Sequence, residues 1–96
     1  MNSKQLRKKF ETKFDSNKDS LSLVELPNRD HFMYEIHYQK KHIGIFQISM
    51  GSKEFGKKLI GTMARQLGIN SEQLKGVVSC NFYGKDFIMH SKLLID

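Results

Sequence analysis

Residues 28–68 read NRDHFMYEIHYQKKHIGIFQISMGSKEFGKKLIGTMARQLG, and the change of period inside this stretch decides the fold. From His31 to Tyr38 the side chains alternate, with Phe32, Tyr34, Ile36 and Tyr38 on one side and His31, Met33, Glu35 and His37 on the other. Period two is the signature of an antiparallel strand buried on one face. Gln39-Lys40-Lys41 forms a hairpin tip, and His42 to Ser49 returns as an isoleucine-rich strand. The alternation slips between Ile45 and Phe46, which predicts a bulge or burial on both faces there. After Gly51-Ser52 the spacing turns helical through Phe55, Leu59, Ile60, Met63, Ala64 and Leu67, with Ser52 as the expected N-cap and Gly68 just past the C-terminus.

Upstream, Leu6, Phe10 and Phe14 recur at helical spacing after a capping Ser3, while Lys4, Arg7, Lys8, Lys9 and Lys13 fill the rest of the circumference. The polar cluster from Asp15 to Ser20 breaks that helix, and Leu21–Leu26 follows as a short strand closed by Pro27. Asp15-x-Asn17-x-Asp19 resembles the start of a calcium loop. Ser20 stands where that loop needs glycine and Leu26 where it needs glutamate, so the segment reads as a polar turn. Downstream, Asn70 or Ser71 caps a short helix carrying Leu74, Val77 and Val78, with Asn70 and Gln73 as an imperfect capping box. Lys85 to Ile95 places Phe87, Ile88, Leu94 and Ile95 at roughly helical spacing, with a final strand as the alternative.

The order α-β-β-β-α-α-α fits an α+β domain: a three-stranded antiparallel sheet with helices on one face, and extra C-terminal helices beyond an α-β-β-β-α core. The face bearing His31, Glu35 and His37 is then left open. At 96 residues the chain, 1–96, is expected to be a single domain, and a hydrophobic fraction of 39% implies a modest core. A net charge of +6 attracts polyanions, of which RNA and DNA are the commonest for a small domain. Cys80 is the only cysteine, which excludes an internal disulfide and favours a reducing, cytoplasmic setting; beside Val77 and Val78 it reads as a small buried side chain. The chain has no apolar run of membrane-spanning length and a polar, basic N-terminus, so a soluble, unprocessed protein without a membrane role is expected.

Two groups of residues are suited to chemistry on a phosphodiester. Lys53, Lys57, Lys58 and Arg65 flank the apolar stripe of the second helix, whose N-terminus offers unpaired N–H donors to an anion. The ordinary reading of the same lysines is a solvated helix face. His31 follows Arg29 and Asp30, so a proton-transfer group, a cation and a carboxylate lie side by side. A ribonuclease needs a group that titrates near neutrality and a cation for the charged phosphorane. A histidine at a strand edge is more often an ordinary surface residue. His37 and His42 flank the hairpin and His90 lies far off in sequence; without HExxH or CxxC spacing, no metal and no cofactor is implied.

Residues 55–78 admit a competing reading. Ala64 to Leu74 has the small residue, turn glycine and buried apolar residue of a helix-turn-helix, which would bind DNA. Its second helix opens with Ser71-Glu72-Gln73 and carries only Lys75 as a base, so its attraction for phosphate is poor. Two packed helices joined by a glycine turn account for the pattern without DNA.

Four segments carry a family resemblance: SKQLRKKF (3–10), RDHFMYEI (29–36), IGIFQISMGSKEF (43–55) and LIGTMARQLGI (59–69). In them the chain resembles the HicA toxins, small messenger-RNA interferases of a toxin–antitoxin system with a double-stranded-RNA-binding-domain-like fold. The resemblance implies metal-independent endoribonuclease activity, a single catalytic histidine at the start of the second strand, and a partner antitoxin protein. His31 matches that histidine, and Arg29, Lys53, Lys57 and Lys58 are the accompanying RNA-binding candidates. The chain departs from the family at Asn28-Arg29-Asp30, where a glycine-serine pair usually precedes the histidine, and in its extension from Cys80 to Asp96.

Overall fold

The computed structural model describes residues 1–15, 20–50, 53–79 and 81–94. Its elements run α1 (Ser3–Phe14), β1 (Leu21–Leu26), β2 (His31–Tyr38), β3 (Lys41–Ser49), α2 (Lys57–Gln66), α3 (Ser71–Ser79) and α4 (Gly84–His90). The sheet is three-stranded in the order β1-β2-β3, antiparallel throughout. This is the α-β-β-β-α core with additional C-terminal helices that the periodicities predict. The polar cluster at 16–19, Gly51, Ser52, Cys80 and Ile95 lie outside the described residues, and with them the readings of a polar turn and a buried Cys80. No helix among the described residues is long and apolar enough to cross a membrane.

The alternation of β2 sorts the two faces. Tyr34 and Ile36 are buried together with Leu21 of β1 and with Phe46 and Ile48 of β3. Leu6, Phe10 and Phe14 of α1 lie against them, fully buried, and the Phe10 ring meets Tyr34 at 5.3 Å and Phe46 at 4.8 Å between centroids. Aromatic rings tilted or edge-on at these distances add to the stabilisation that burial alone provides. Phe87 of α4 closes the layer against Phe14 at 5.0 Å, while α2 and α3 contribute Ile60, Met63, Ala64, Leu74 and Val77.

The other face carries Ser22, Val24 and Leu26, then His31, Met33, Glu35 and His37, and on β3 His42, Ile45, Gln47 and Ser49. Val24 and Ile45 are 45% and 41% exposed there, so this face is open among the described residues. Exposure of Ile45 also corrects the expected slip at Ile45/Phe46. Backbone alternation is regular at that point, and only the hydropathy pattern is broken by an apolar residue facing out. The register shift lies instead between Ile36↔Gly44 and His37↔His42, which leaves Ile43 as the extra residue. At the hairpin tip Gln39 (φ 51) and Lys40 (φ 66) are both left-handed, the requirement of the two-residue turn whose twist matches the strands.

Helix ends differ from expectation in three places. Asn2, not Ser3, caps α1: its Oδ1 accepts from the Gln5 N–H at 3.0 Å and its own N–H donates to Gln5 Oε1 at 3.1 Å. Ser3 is buried in the first turn. Helix α2 begins at Lys57 behind Gly56, because the Phe55 N–H is engaged by the Met1 carbonyl at 2.8 Å, which holds the preceding segment extended beside α1. The Asn70–Gln73 capping box of α3 is present in both directions, at 2.8 and 2.9 Å. After α4 the chain leaves helical geometry at Ser91, so Leu94 does not continue the helix.

Candidate nucleic-acid interface

His31 is positioned by a side chain to which hydrophobic periodicity assigns no role. Asn28 Oδ1 accepts from the backbone N–H groups of Asp30 and His31, each at 2.9 Å, and so turns the chain into β2. Asparagine two and three residues before a strand is a recognised turn signal, visible in the sequence once its mechanism is considered. His31 itself is half-buried and pairs with Ser49 at the end of β3. Its neighbour Phe32 faces the helices, where the Arg7 guanidinium sits 3.8 Å above the ring centroid. By alternation His31 therefore lies on the uncovered face.

The lysines stand at the same end of the sheet but in the helix layer. Helix α2 runs back along β3, its last turn anchored where Gln66 Oε1 accepts from the Gln47 N–H at 2.9 Å. Lys57 and Lys58 on its first turn, and Lys53 before it, are exposed. The Met1–Phe55 hydrogen bond brings the start of α1 to the same place, adding exposed Lys4; the terminal amine pairs with Glu54. A hollow of about 350 Å³ lined by Ser3, Lys4, Arg7, Lys8, Glu11 and Phe32 opens beside them. Arg29 is exposed in the turn before β2. Among the described residues no ion pair involves Arg29, Lys53, Lys57 or Lys58, and no hydrogen bond joins any of them to His31. Arg29 and His31 thus share one turn, the three lysines share one helix start, and the two groups meet only around the end of the sheet. The cations and the imidazole therefore form one end with two faces rather than a single cluster.

Below this end Tyr34 ties α1 to the sheet. Its hydroxyl donates to Glu11 at 2.6 Å and accepts from Arg7 Nε at 3.1 Å, and Arg7 Nη2 reaches both oxygens of Glu25 at 3.2 and 3.3 Å. Burial, reinforced by the Glu11 hydrogen bond, pushes the Tyr34 hydroxyl up to about 12.

At the opposite end of the open face the register brings together a second group. His37 Nε2 lies 3.1 Å from Glu35 Oε1, and the His37 and His42 rings meet edge-on at 5.5 Å between centroids. The Glu35-x-His37 spacing places both on one face of a strand, but the His37↔His42 pairing depends on the bulge at Ile43 and is not legible in the sequence.

The helix-turn-helix segment is strapped rather than projecting. Ser91 Oγ donates to the Leu67 carbonyl at 2.5 Å, and the Lys92 N–H to that of Gly68 at 2.8 Å. Ser71 and Gln73, which such a motif would present to bases, line a hollow of about 650 Å³ shared with His90 and Lys92. Lys75 is already paired with Glu72 at 3.5 Å. Among the described residues no three His, Cys, Asp or Glu side chains are gathered for a metal ion. No protein-family model, curated protein or solved structure matches this chain.

Proposed function

We propose that this domain binds RNA across the end of its sheet and cleaves it without a metal, in the manner of a HicA-like endoribonuclease. Arg29, Lys53, Lys57 and Lys58 contact backbone phosphates, and His31 is the general acid/base. The observation that carries the reading is the convergence of the α1 and α2 starts, held by the Met1–Phe55 hydrogen bond, at the end of the sheet where His31 begins β2. Two helix starts and exposed lysines with no ion pair among the described residues concentrate positive potential there. A flexible single strand crossing that end passes from the lysines to the imidazole, which a rigid duplex lying on the helices does not. A protein antitoxin would neutralise the activity by covering the same end.

Titrating labelled single-stranded RNA against wild type and His31→Ala, and scoring binding and cleavage separately, tests both halves. The expected result is unchanged affinity with loss of cleavage in the variant. RNA left intact by the wild type would remove the enzyme and leave a binding module; no salt-sensitive binding at all would remove both.

A further inference from the structure

We infer that the hairpin end of the open sheet face is a second acid–base centre, in which His37 and His42 act as a pair on a ribose phosphodiester and Glu35 positions His37. The inference rests on the RNA reading for its substrate class but not on His31 or the α2 lysines. Six residues of strand, about 20 Å, separate His31 from His37.

In-line displacement at phosphorus has two proton transfers, at the attacking and at the leaving oxygen, on opposite sides of one phosphorus. A single imidazole must serve them in turn; two imidazoles side by side serve them together. His37 and His42 are 5.5 Å apart between ring centroids, on a flat face accessible from one side. His42 is exposed and His37 keeps 25% of its side chain accessible. When His37 Nε2 carries the proton it donates to Glu35 Oε1 at 3.1 Å, so Nδ1 holds the lone pair of the neutral ring. A carboxylate that selects the tautomer and orients the ring is the usual partner of a catalytic imidazole. The other group facing the pair is Ser22 across β1; Lys41, opposite Tyr38, belongs to the helix-side face, and Lys40 is exposed in the turn with no ion pair among the described residues. Lys40 is the cation at that end for a phosphorane.

One neutral imidazole takes the 2′-hydroxyl proton as the 2′-oxygen bonds to phosphorus. The bond from phosphorus to the 5′-oxygen breaks, and that oxygen takes a proton from the other, protonated imidazole. The products are a 2′,3′-cyclic phosphate and a 5′-hydroxyl; exchange with water restores both rings. No metal, redox partner or co-reactant is consumed.

The test uses a diribonucleoside monophosphate, too short to reach from the hairpin end to His31 or to α2. Wild type is expected to cleave it to the cyclic phosphate with a bell-shaped pH profile. His37→Gln and His42→Gln should each lose on the order of 100-fold in kcat/KM, and Glu35→Ala should lower kcat with KM unchanged, with Glu35→Gln, which keeps an acceptor for His37, restoring part of the rate. His90→Gln serves as the control histidine. His42→Gln alters an exposed side chain, and thermal melts verify folding of each variant. The proposal is overturned if the wild type leaves the dinucleotide intact, or if both glutamine variants cleave it at the wild-type rate. It is equally overturned if cleavage disappears in His31→Ala and survives in His37→Gln and His42→Gln. Failure of the RNA-binding reading is seen separately, as long-RNA affinity indifferent to charge reversal at Lys53, Lys57 and Lys58.

Discussion

The Lys92 amide donates to the Gly68 carbonyl at 2.8 Å, and a Cβ built on Gly68 would stand 2.8 Å from that same amide nitrogen. The C-terminal segment is thus laid directly on the α2–α3 turn, at a glycine whose φ of +69° is left-handed. Leu93 continues the strap onto the sheet, its Cδ1 lying 3.1 Å from where a Cβ on Gly44 would be. The glycine at the turn thus serves two ends, the reversal of the chain and the close approach of another backbone.

Gly68→Ala should therefore destabilise the fold by about 2 kcal/mol or more, since left-handed strain is joined by collision with backbone atoms that have no rotamer to yield. Gly44→Ala meets only the tip of a leucine and should cost less than about 1 kcal/mol. Urea unfolding of the two variants side by side decides the matter. Equal midpoints would mean that the strap is not a rigid part of the fold.

Tyr34 makes stability depend on alkaline pH. Its hydroxyl is raised from the ordinary 10.0 to about 12 in the folded protein, by burial first and the Glu11 hydrogen bond second. Because the folded value is the higher one, the stabilisation is complete below pH 10 and is lost as pH rises toward about 12. Two units correspond to about 2–3 kcal/mol at most. Tyr34→Phe, without either hydrogen bond, should be less stable at neutral pH yet show a shallower decline between pH 10 and 11.5. Parallel stability–pH curves for the two proteins in that window would contradict the assignment.

The elements themselves are legible because burial imposes a period. Phe32, Tyr34, Ile36 and Tyr38 alternate since one side of β2 faces the helices, and Leu6, Phe10 and Phe14 recur since one side of α1 faces the sheet. What is not legible depends on contacts distant in sequence. The start of α2 lies at Gly56 rather than Ser52 because a carbonyl at residue 1 engages Phe55. The bulge sits at Ile43 rather than at Ile45 because hydropathy cannot distinguish an exposed isoleucine from a shifted register. For the site, the place of His31 at the start of β2 is readable. Its separation from Lys53, Lys57 and Lys58 by the sheet follows only once Phe32, and not His31, is seen to face α1.

Asn28 should matter to the chemistry without touching RNA. Asn28→Ala removes the acceptor for the Asp30 and His31 amides, at a cost of about 1 kcal/mol. If the turn positions His31, kcat for long RNA should fall while affinity stays within about twofold, less than 0.5 kcal/mol. Asn28→Asp keeps an acceptor and should restore most of the rate. Equal rates for Asn28→Ala and wild type would show that the imidazole needs no such support.

The salt dependence of binding separates the two nucleic acids. Removing one phosphate contact should reduce the slope of log K against log salt by about 0.7 for a single strand and about 0.9 for duplex DNA. Lys57→Glu and Lys58→Glu remove exposed cations that have no ion pair among the described residues, so each should flatten the RNA slope by one contact and weaken binding severalfold. Lys75→Glu breaks a pair with Glu72 at 3.5 Å on α3, outside the sheet end, and should leave RNA affinity within about twofold. A helix-turn-helix acting on duplex DNA would reverse that order, since Lys75 is the only base on α3. Charge reversal at Lys75 that abolished binding while Lys57→Glu and Lys58→Glu left the slope unchanged would therefore move the interface from the sheet end to the α2–α3 turn.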